Sequence, residues 1–233
     1  MMQAQDVMTT RVITVGPDTD IETIAKHLIE NRISAVPVVE RGGQIVGIVS
    51  EGDLMRRSDS DTERRPSWWL SFLLFPEEKA ISYVKTHGRC ARDVMTREVI
   101  TVNEDATLEE IAETLEKHRI KRVPVVCDGK LVGIVSRANL LHGLVAHQIG
   151  ASPSADDRKI KAAVEMNLAE AGVRTGLLNV VVSGGVVYVW GVVATPQEQA
   201  AVQVAAQSAP GAKEVRANID ALPSYMRFVM RAG

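Results

Sequence analysis

The chain has 233 residues, 45% hydrophobic and only 4% aromatic, with 27 Lys and Arg against 29 Asp and Glu. This composition is neither disordered nor collagen-like, and the length suits one large or two modest domains. A net charge of −2 argues against an affinity built on neutralising phosphates, so no nucleic-acid partner is expected.

Cys90 and Cys127 stand in no CxxC context, which gives neither a disulfide framework nor a zinc cage and fits a reducing compartment. The opening run MMQAQDVMTTRVITV has no basic segment leading into an apolar one, so no secretory signal is read. Trp68 to Phe75, the longest strongly apolar aromatic stretch, falls far short of the roughly 20 residues that span a bilayer. The expected location is the cytoplasm.

An internal repeat organises the first two thirds. Asp6 to Leu54 realigns on Asp93 to Leu140 with one single-residue gap near Gly42, and 26 of 48 aligned positions are identical. Each copy opens with a β-branched VITV run. A helix follows, with Ile21, Ile24, Ala25 and Leu28 on one stripe in the first copy and Leu108, Ile111, Ala112 and Leu115 in the second. Thr107 and Glu110 read as a capping box for the second helix. AVPVV or RVPVV is the next strand, a Gly-containing turn follows, and QIVGIVS or KLVGIVS is the third strand. Ser50 or Ser136 then opens another helix. The unit is β-α-β-β-α, too small to cover its own sheet, so two copies are expected to pack about a pseudo-twofold axis.

The run D-V-M-T, then h-P-V-V, then G-I-V-S-x-x-D/N, all present twice in order, resembles a tandem pair of cystathionine β-synthase-type (CBS) domains, the Bateman module. The resemblance covers about Ala4 to His147. It implies regulation rather than catalysis, with an adenosine-containing ligand (AMP, ADP, ATP or S-adenosylmethionine) bound in clefts between the repeats, and a homodimer. In the first cleft it implies that Ser50 donates to phosphate and Asp53 accepts from both ribose hydroxyls, with Ile33, Ser34, Ala35, Val36, Pro37 and Thr14 lining the site. The residues alone allow a second reading, in which Ser50 caps the helix and Asp53 sits on its dipole; the two can coexist. In the second cleft the corresponding residues are Ser136, Asn139, Ile120, Lys121, Arg122, Val123, Pro124 and Thr101. Asn139 in place of Asp removes a charge. Arg122 and Lys121 either reach a phosphate chain or form a solvated basic edge. Ile33, Val36 and Pro37, like Ile120, Val123 and Pro124, either wall an adenine or pack the core. The second cleft is therefore expected to suit a more phosphorylated ligand than the first.

The connector is expected to be helical. Arg56 to Arg92 carries two of the three Trp and two of the three Phe, in Trp68, Trp69, Phe72 and Phe75. This patch must cover something: the pair's own elements, a dimer contact, or, with Arg56, Arg57, Arg64 and Arg65, a membrane surface.

Gly150 to Ser154 has linker chemistry. Beyond it, Asp156 to Ala171 reads as a helix with Ile160, Val164, Leu168 and Ala171 on one stripe. Leu177 to Val193 reads as a hairpin turning at Ser183-Gly184-Gly185. Thr195 to Glu198 is a capping box with Pro196 at the first helical position, opening a helix striped with Val202, Ala205, Ala206 and Ala209. Gly211 to Ile219 is a last strand. This α-β-β-α-β order predicts a three-stranded sheet with two helices on one face. G-x-V-x-V-x-G-x-V (Gly185 to Val193) and G-A-x-x-V-x-A-N-I resemble a BON domain, which implies a docking or signal-output unit toward a protein partner; membrane contact is the lesser option, since Ala151 to Gly233 carries eight basic and seven acidic residues.

The expected class is therefore α+β, with domains at 1–57, 93–147 and 156–223, a connector at 58–92, a linker at 148–155 and a tail at 224–233. His27, His87, His118, His142 and His147 never occur in HxxxH or HExxH spacing, and no GxxxxGK[ST], GxSxG or GxGxxG is present. No catalytic residues, no metal and no catalytic cofactor are expected. The rival reading is a structural adaptor that binds no nucleotide and tethers to membrane or envelope through its last domain.

Overall fold

The computed structural model describes residues 1–58, 88–149 and 153–222. The aromatic connector patch and the tail lie outside the described residues. In chain order the repeats give α1 (Ala4–Val7), α2 (Ile21–Glu30), β1 (Ala35–Val39), β2 (Ile45–Ser50), α3 (Glu51–Ser58), α4 (Ala91–Val94), β3 (Val102–Asn103), α5 (Leu108–Lys117), β4 (Arg122–Cys127), β5 (Lys130–Ser136) and α6 (Arg137–Ile149). The last domain gives α7 (Ala155–Glu170), β6 (Leu178–Ser183), β7 (Val186–Val193), α8 (Pro196–Gln207) and β8 (Glu214–Ala221). By their contacts the described residues fall into two compact units. The first takes in the described part of Ile13–Val99 with Gly129–Leu131; the second takes in Met1–Val12, Ile100–Asp128 and the described part of Val132–Gly233.

In the first unit, Asp20 caps α2 by accepting from the Thr23 N–H at 2.8 Å and hydroxyl at 2.7 Å. Ile24 and Leu28 are buried, with Ile21 packed beside them, on the expected stripe. β1 and β2 pair antiparallel, Ala35 opposite Ser50 and Val36 opposite Val49. Val36, Val38 and Val49 close a core completed by Val15, Ala91, Val94 and Met95. The VITV run of this repeat is not a full strand: it contributes one bridge, Val15 beside Val38. The short helices α1 and α4 were not anticipated. Each is opened by an aspartate: Asp6 accepts from the Gln3 N–H at 2.8 Å, and Asp93 accepts from the Arg89 N–H at 2.9 Å.

In the second unit, α5 starts with the expected box, Thr107 Oγ1 accepting from the Glu110 N–H at 3.2 Å and the Glu110 carboxylate from the Thr107 N–H at 2.8 Å. Ile111 and Leu115 are buried, but Ala112 is exposed, because the buried face narrows to the line through Leu108, Ile111 and Leu115. β3, β4 and β5 form one sheet, with β3 parallel to β4.

The last domain has the expected element order. Ser183 pairs with Val186 across a two-residue turn in which Gly184 and Gly185 both have positive φ, the conformation such hairpin turns require. Gly191 has φ +143°, and a Cβ there would run into the Leu177 carbonyl. β8 lies parallel to β7. The box at α8 closes one residue early: Thr195 Oγ1 accepts from the Glu198 N–H at 3.1 Å, but the Glu198 carboxylate accepts from the Ala194 N–H at 2.9 Å. Ala171, expected on the α7 stripe, is exposed as the helix ends there.

Helices α7 and α8 cover one face of this sheet, burying Ile160, Val164, Leu168, Val202, Ala205, Ala206 and Ala209 against Val180, Val182, Val187 and Val189. The other face is also covered. Val181 and Tyr188 are buried in one cluster with Met2, Ala4, Val7, Ile111 and Leu115, and Trp190 packs against it. Residues of both parities on β6 are therefore buried, as in a sheet enclosed on both sides.

Side chains of α7 hold α1 in this second unit. Arg158 Nε donates to the buried Asp6 carboxylate at 2.8 Å, and a second guanidinium nitrogen donates to Gln3 Oε1 at 2.8 Å. Lys161 is buried, and its ammonium donates to the carbonyls of Gln5 at 2.9 Å, Asp6 at 3.1 Å and Met8 at 3.1 Å. Burial pulls Lys161 down from 10.5 to about 8. Between those values the unfolded chain holds the proton and the folded chain has released it, so this group adds stability as pH rises. The unfolding free energy of wild type relative to Lys161→Met should rise from about pH 8 toward 10.5 and stay level below pH 7, measured by urea denaturation followed by circular dichroism. A difference level across the whole range would contradict this assignment.

Candidate functional site

Each GIVS run ends a strand and begins a helix, where backbone N–H groups lack helical partners. In the first unit the register places Ala35 beside Ser50, and the Glu51 N–H donates to the Ser34 carbonyl at 3.0 Å. Asp53 is buried, and its Oδ2 accepts from the Ser50 N–H at 3.0 Å and the Ser50 hydroxyl at 2.6 Å. Ser50 thus caps α3, its single hydroxyl proton directed at Asp53. Val15 donates its N–H to the Pro37 carbonyl at 3.1 Å, which brings Thr14, an exposed residue, next to Pro37. Val36 lies wholly in the core and Ile33 packs against it, so the packing alternative accounts for both.

The second unit repeats the plan with different chemistry. Asn139 is buried; its Oδ1 accepts from the Ser136 N–H at 2.9 Å and, at a short distance, from the Ser136 hydroxyl. Its amide nitrogen donates to the Val7 carbonyl at 3.0 Å and to Thr9 Oγ1 at 3.4 Å. The Arg137 N–H donates to the Lys121 carbonyl at 3.4 Å, so Lys121 sits beside the start of α6. Lys121 is exposed, Arg122 half-buried, Pro124 buried, and Val123 lies in the core with Ile120 packed against it. Thr101 precedes Val102, which pairs with Val125, and so lies close to Pro124.

The two helix starts differ in charge. The first turn of α3 carries Glu51 and Asp53, whereas that of α6 carries no acid and opens on Arg137. Anions are favoured at the second junction by both the helix dipole and the neighbouring cations.

Gly47 and Gly133 of the GIVS runs lie against methionines of the DVMT runs, Met95 and Met8 respectively, and a Cβ at either would collide with the thioether. The motif glycine is set by close approach, not by backbone angle.

Asp6, Lys161, Asn179 and His142, to which the sequence assigns no site role, make buried or part-buried contacts here. Asn179 donates its amide to the Val7 carbonyl at 2.7 Å and accepts from His142 Nδ1 at 3.0 Å. The His142 ring stacks on Trp190, centroids 4.4 Å apart, and burial lowers its pKa. The signal was present: Asn179, Val181, Tyr188 and Trp190 share one face of the hairpin, and two aromatics there mark a covered face. Among the described residues no group of three or more His, Cys, Asp and Glu could hold a metal, and no helix is long and apolar enough to cross a membrane.

The CBS domain model matches residues 4–60 and 91–146, and the BON domain model matches 156–223. An uncharacterized protein of Methanocaldococcus jannaschii is 34% identical over 160 residues, covering 62% of this chain and 92% of its own. The chain belongs to the CBS domain family. The CBS domain-containing chloroplast protein CBSX2 of Arabidopsis thaliana is 34% identical over 146 residues, 58% of this chain and 60% of its own length. The solved structure of CBSX2 in complex with AMP matches with TM-score 0.54 and 30% identity, covering 62% of this chain and 97% of that one. These two likenesses rest on a protein named for its CBS domains, not for a reaction.

Alanine at Gly47 or Gly133 should each lower stability by about 1–3 kcal/mol through overpacking, while Gly42→Ala, with nothing within 4 Å, should not. Thermal unfolding of the three variants checks this; equal midpoints would show that Met8 and Met95 yield freely.

Proposed function

We propose that this CBS-BON chain is a cytoplasmic regulatory sensor, not an enzyme, that binds adenosine nucleotides at its two strand-to-helix junctions and passes the bound state on through the BON domain. The observation that carries the reading is the pairing of a buried acceptor with a serine at the helix start, Ser50 with Asp53, in a chain similar to a protein whose structure was solved with AMP. At this first site Asp53 takes the ribose hydroxyls, and Ser50 turns its hydroxyl to the phosphate, while Ser34, Ala35, Pro37 and Thr14 line the ligand. At the second site Ser136, Lys121 and Arg122 receive phosphates, supported by an α6 start without acids. The first site suits AMP and the second a longer phosphate chain such as that of ADP or ATP.

Ligand changes the output only as far as it binds one arrangement better than another. The BON sheet is packed on the second repeat, which supports output through that contact. Leu141, Leu144 and Val145 stand exposed on one face of α6, an apolar surface that a second copy would cover in a homodimer.

Thermal unfolding of wild type, Asp53→Ala and Arg122→Ala against AMP, ADP, ATP and S-adenosylmethionine at fixed salt tests the reading. A ligand at 100 times its dissociation constant stabilises by about 2.7 kcal/mol. The AMP shift should vanish in Asp53→Ala and persist in Arg122→Ala, and the ATP shift should shrink selectively in Arg122→Ala. No shift with any ligand would overturn the sensor in favour of a structural adaptor.

A further inference from the structure

The carboxy-terminal end of α1 is where the BON domain and the second repeat meet. The carbonyls of Gln5, Asp6, Val7 and Met8 have no helical partners, and all are taken by side chains: Lys161 holds Gln5, Asp6 and Met8, while Val7 accepts from both Asn139 and Asn179. A carbonyl oxygen has two lone pairs, so at Val7 one comes to the second repeat and the other to the BON sheet. Both bonds are buried.

An amide side chain offers two donors and two acceptor lone pairs. Asn139 spends its acceptors on Ser136 and its donors on Val7 and Thr9. A carboxylate at this position has no N–H to give and would set its charge against the Val7 carbonyl. Asp53, the matching residue of the first repeat, is an acceptor only. The amide at 139 is therefore dictated by Val7.

We propose that the Ser136–Asn139 motif is the docking tie that fixes the BON sheet to the second repeat through the shared Val7 carbonyl, and that Asn139 is not a ribose ligand. The second half rests on the sensor reading; the first does not. The chain of contacts continues from Asn179 to His142 and on to Trp190, so the tie is anchored within the BON sheet and within α6.

The test uses the full chain, with amide hydrogen exchange as one readout and calorimetric titration with ATP, the ligand assigned to the second site, as the other, in wild type, Asn139→Ala and Asn179→Ala. Asn179 lies in a different domain from the Ser136 motif, so it checks the tie independently of any damage to α6. Both variants should raise exchange at Met8, Thr9 and β6 at least tenfold and keep the ATP dissociation constant within twofold. The proposal is overturned if Asn139→Ala weakens ATP tenfold or more with wild-type exchange, or if Asn179→Ala leaves exchange at Met8 and Thr9 unchanged. Should ATP fail to bind wild type, the second junction falls as a nucleotide site and exchange alone decides the tie.

Discussion

A four-residue helix has no later turn to receive its last carbonyls, and burying them without partners is costly. Helix α1 lies at such a place: Ala4 and Val7 are wholly buried, and just beyond the helix Thr9 enters a bridge with Ile134 on β5. The carbonyls of Gln5, Asp6 and Val7 are satisfied, among the described residues, by Lys161, Asn139 and Asn179, which are spread over two domains. This requirement explains the buried lysine, the asparagine in the second motif and the asparagine on the BON strand together.

The two repeats have the same plan and have diverged where function enters. At α3 a carboxylate closes on Ser50 and the first turn is acidic; at α6 an amide closes on Ser136 and reaches on to Val7, and the first turn is free of acids. Near-identical strands thus present different junctions. One presents a buried carboxylate, and the other makes an internal contact with cations near its helix start.

Much of the fold was legible because it rests on local rules. The Ile24 and Leu28 stripe, the Thr107 box, the Gly184-Gly185 turn and the Pro196 helix start are each decided within a few residues. What escaped was non-local. Nothing near Lys161 announces that it meets α1 more than 150 positions away, and the bond from Asn139 to Val7 is not legible locally because Val7 lies in the opening segment. The short helices α1 and α4 escaped because four residues carry no periodicity. Ala112 and Val15 were misjudged for the converse reason: propensity marked them as stripe and strand, and tertiary packing settled them otherwise.

The sensor function proposed above requires the first-repeat junction to be a nucleotide site. Amide hydrogen exchange of the intact chain with and without saturating AMP measures it residue by residue. Exchange should slow at Ser50, Glu51, Gly52 and Asp53, where the helix start receives the ligand. Unchanged exchange across these residues while AMP is bound would contradict it.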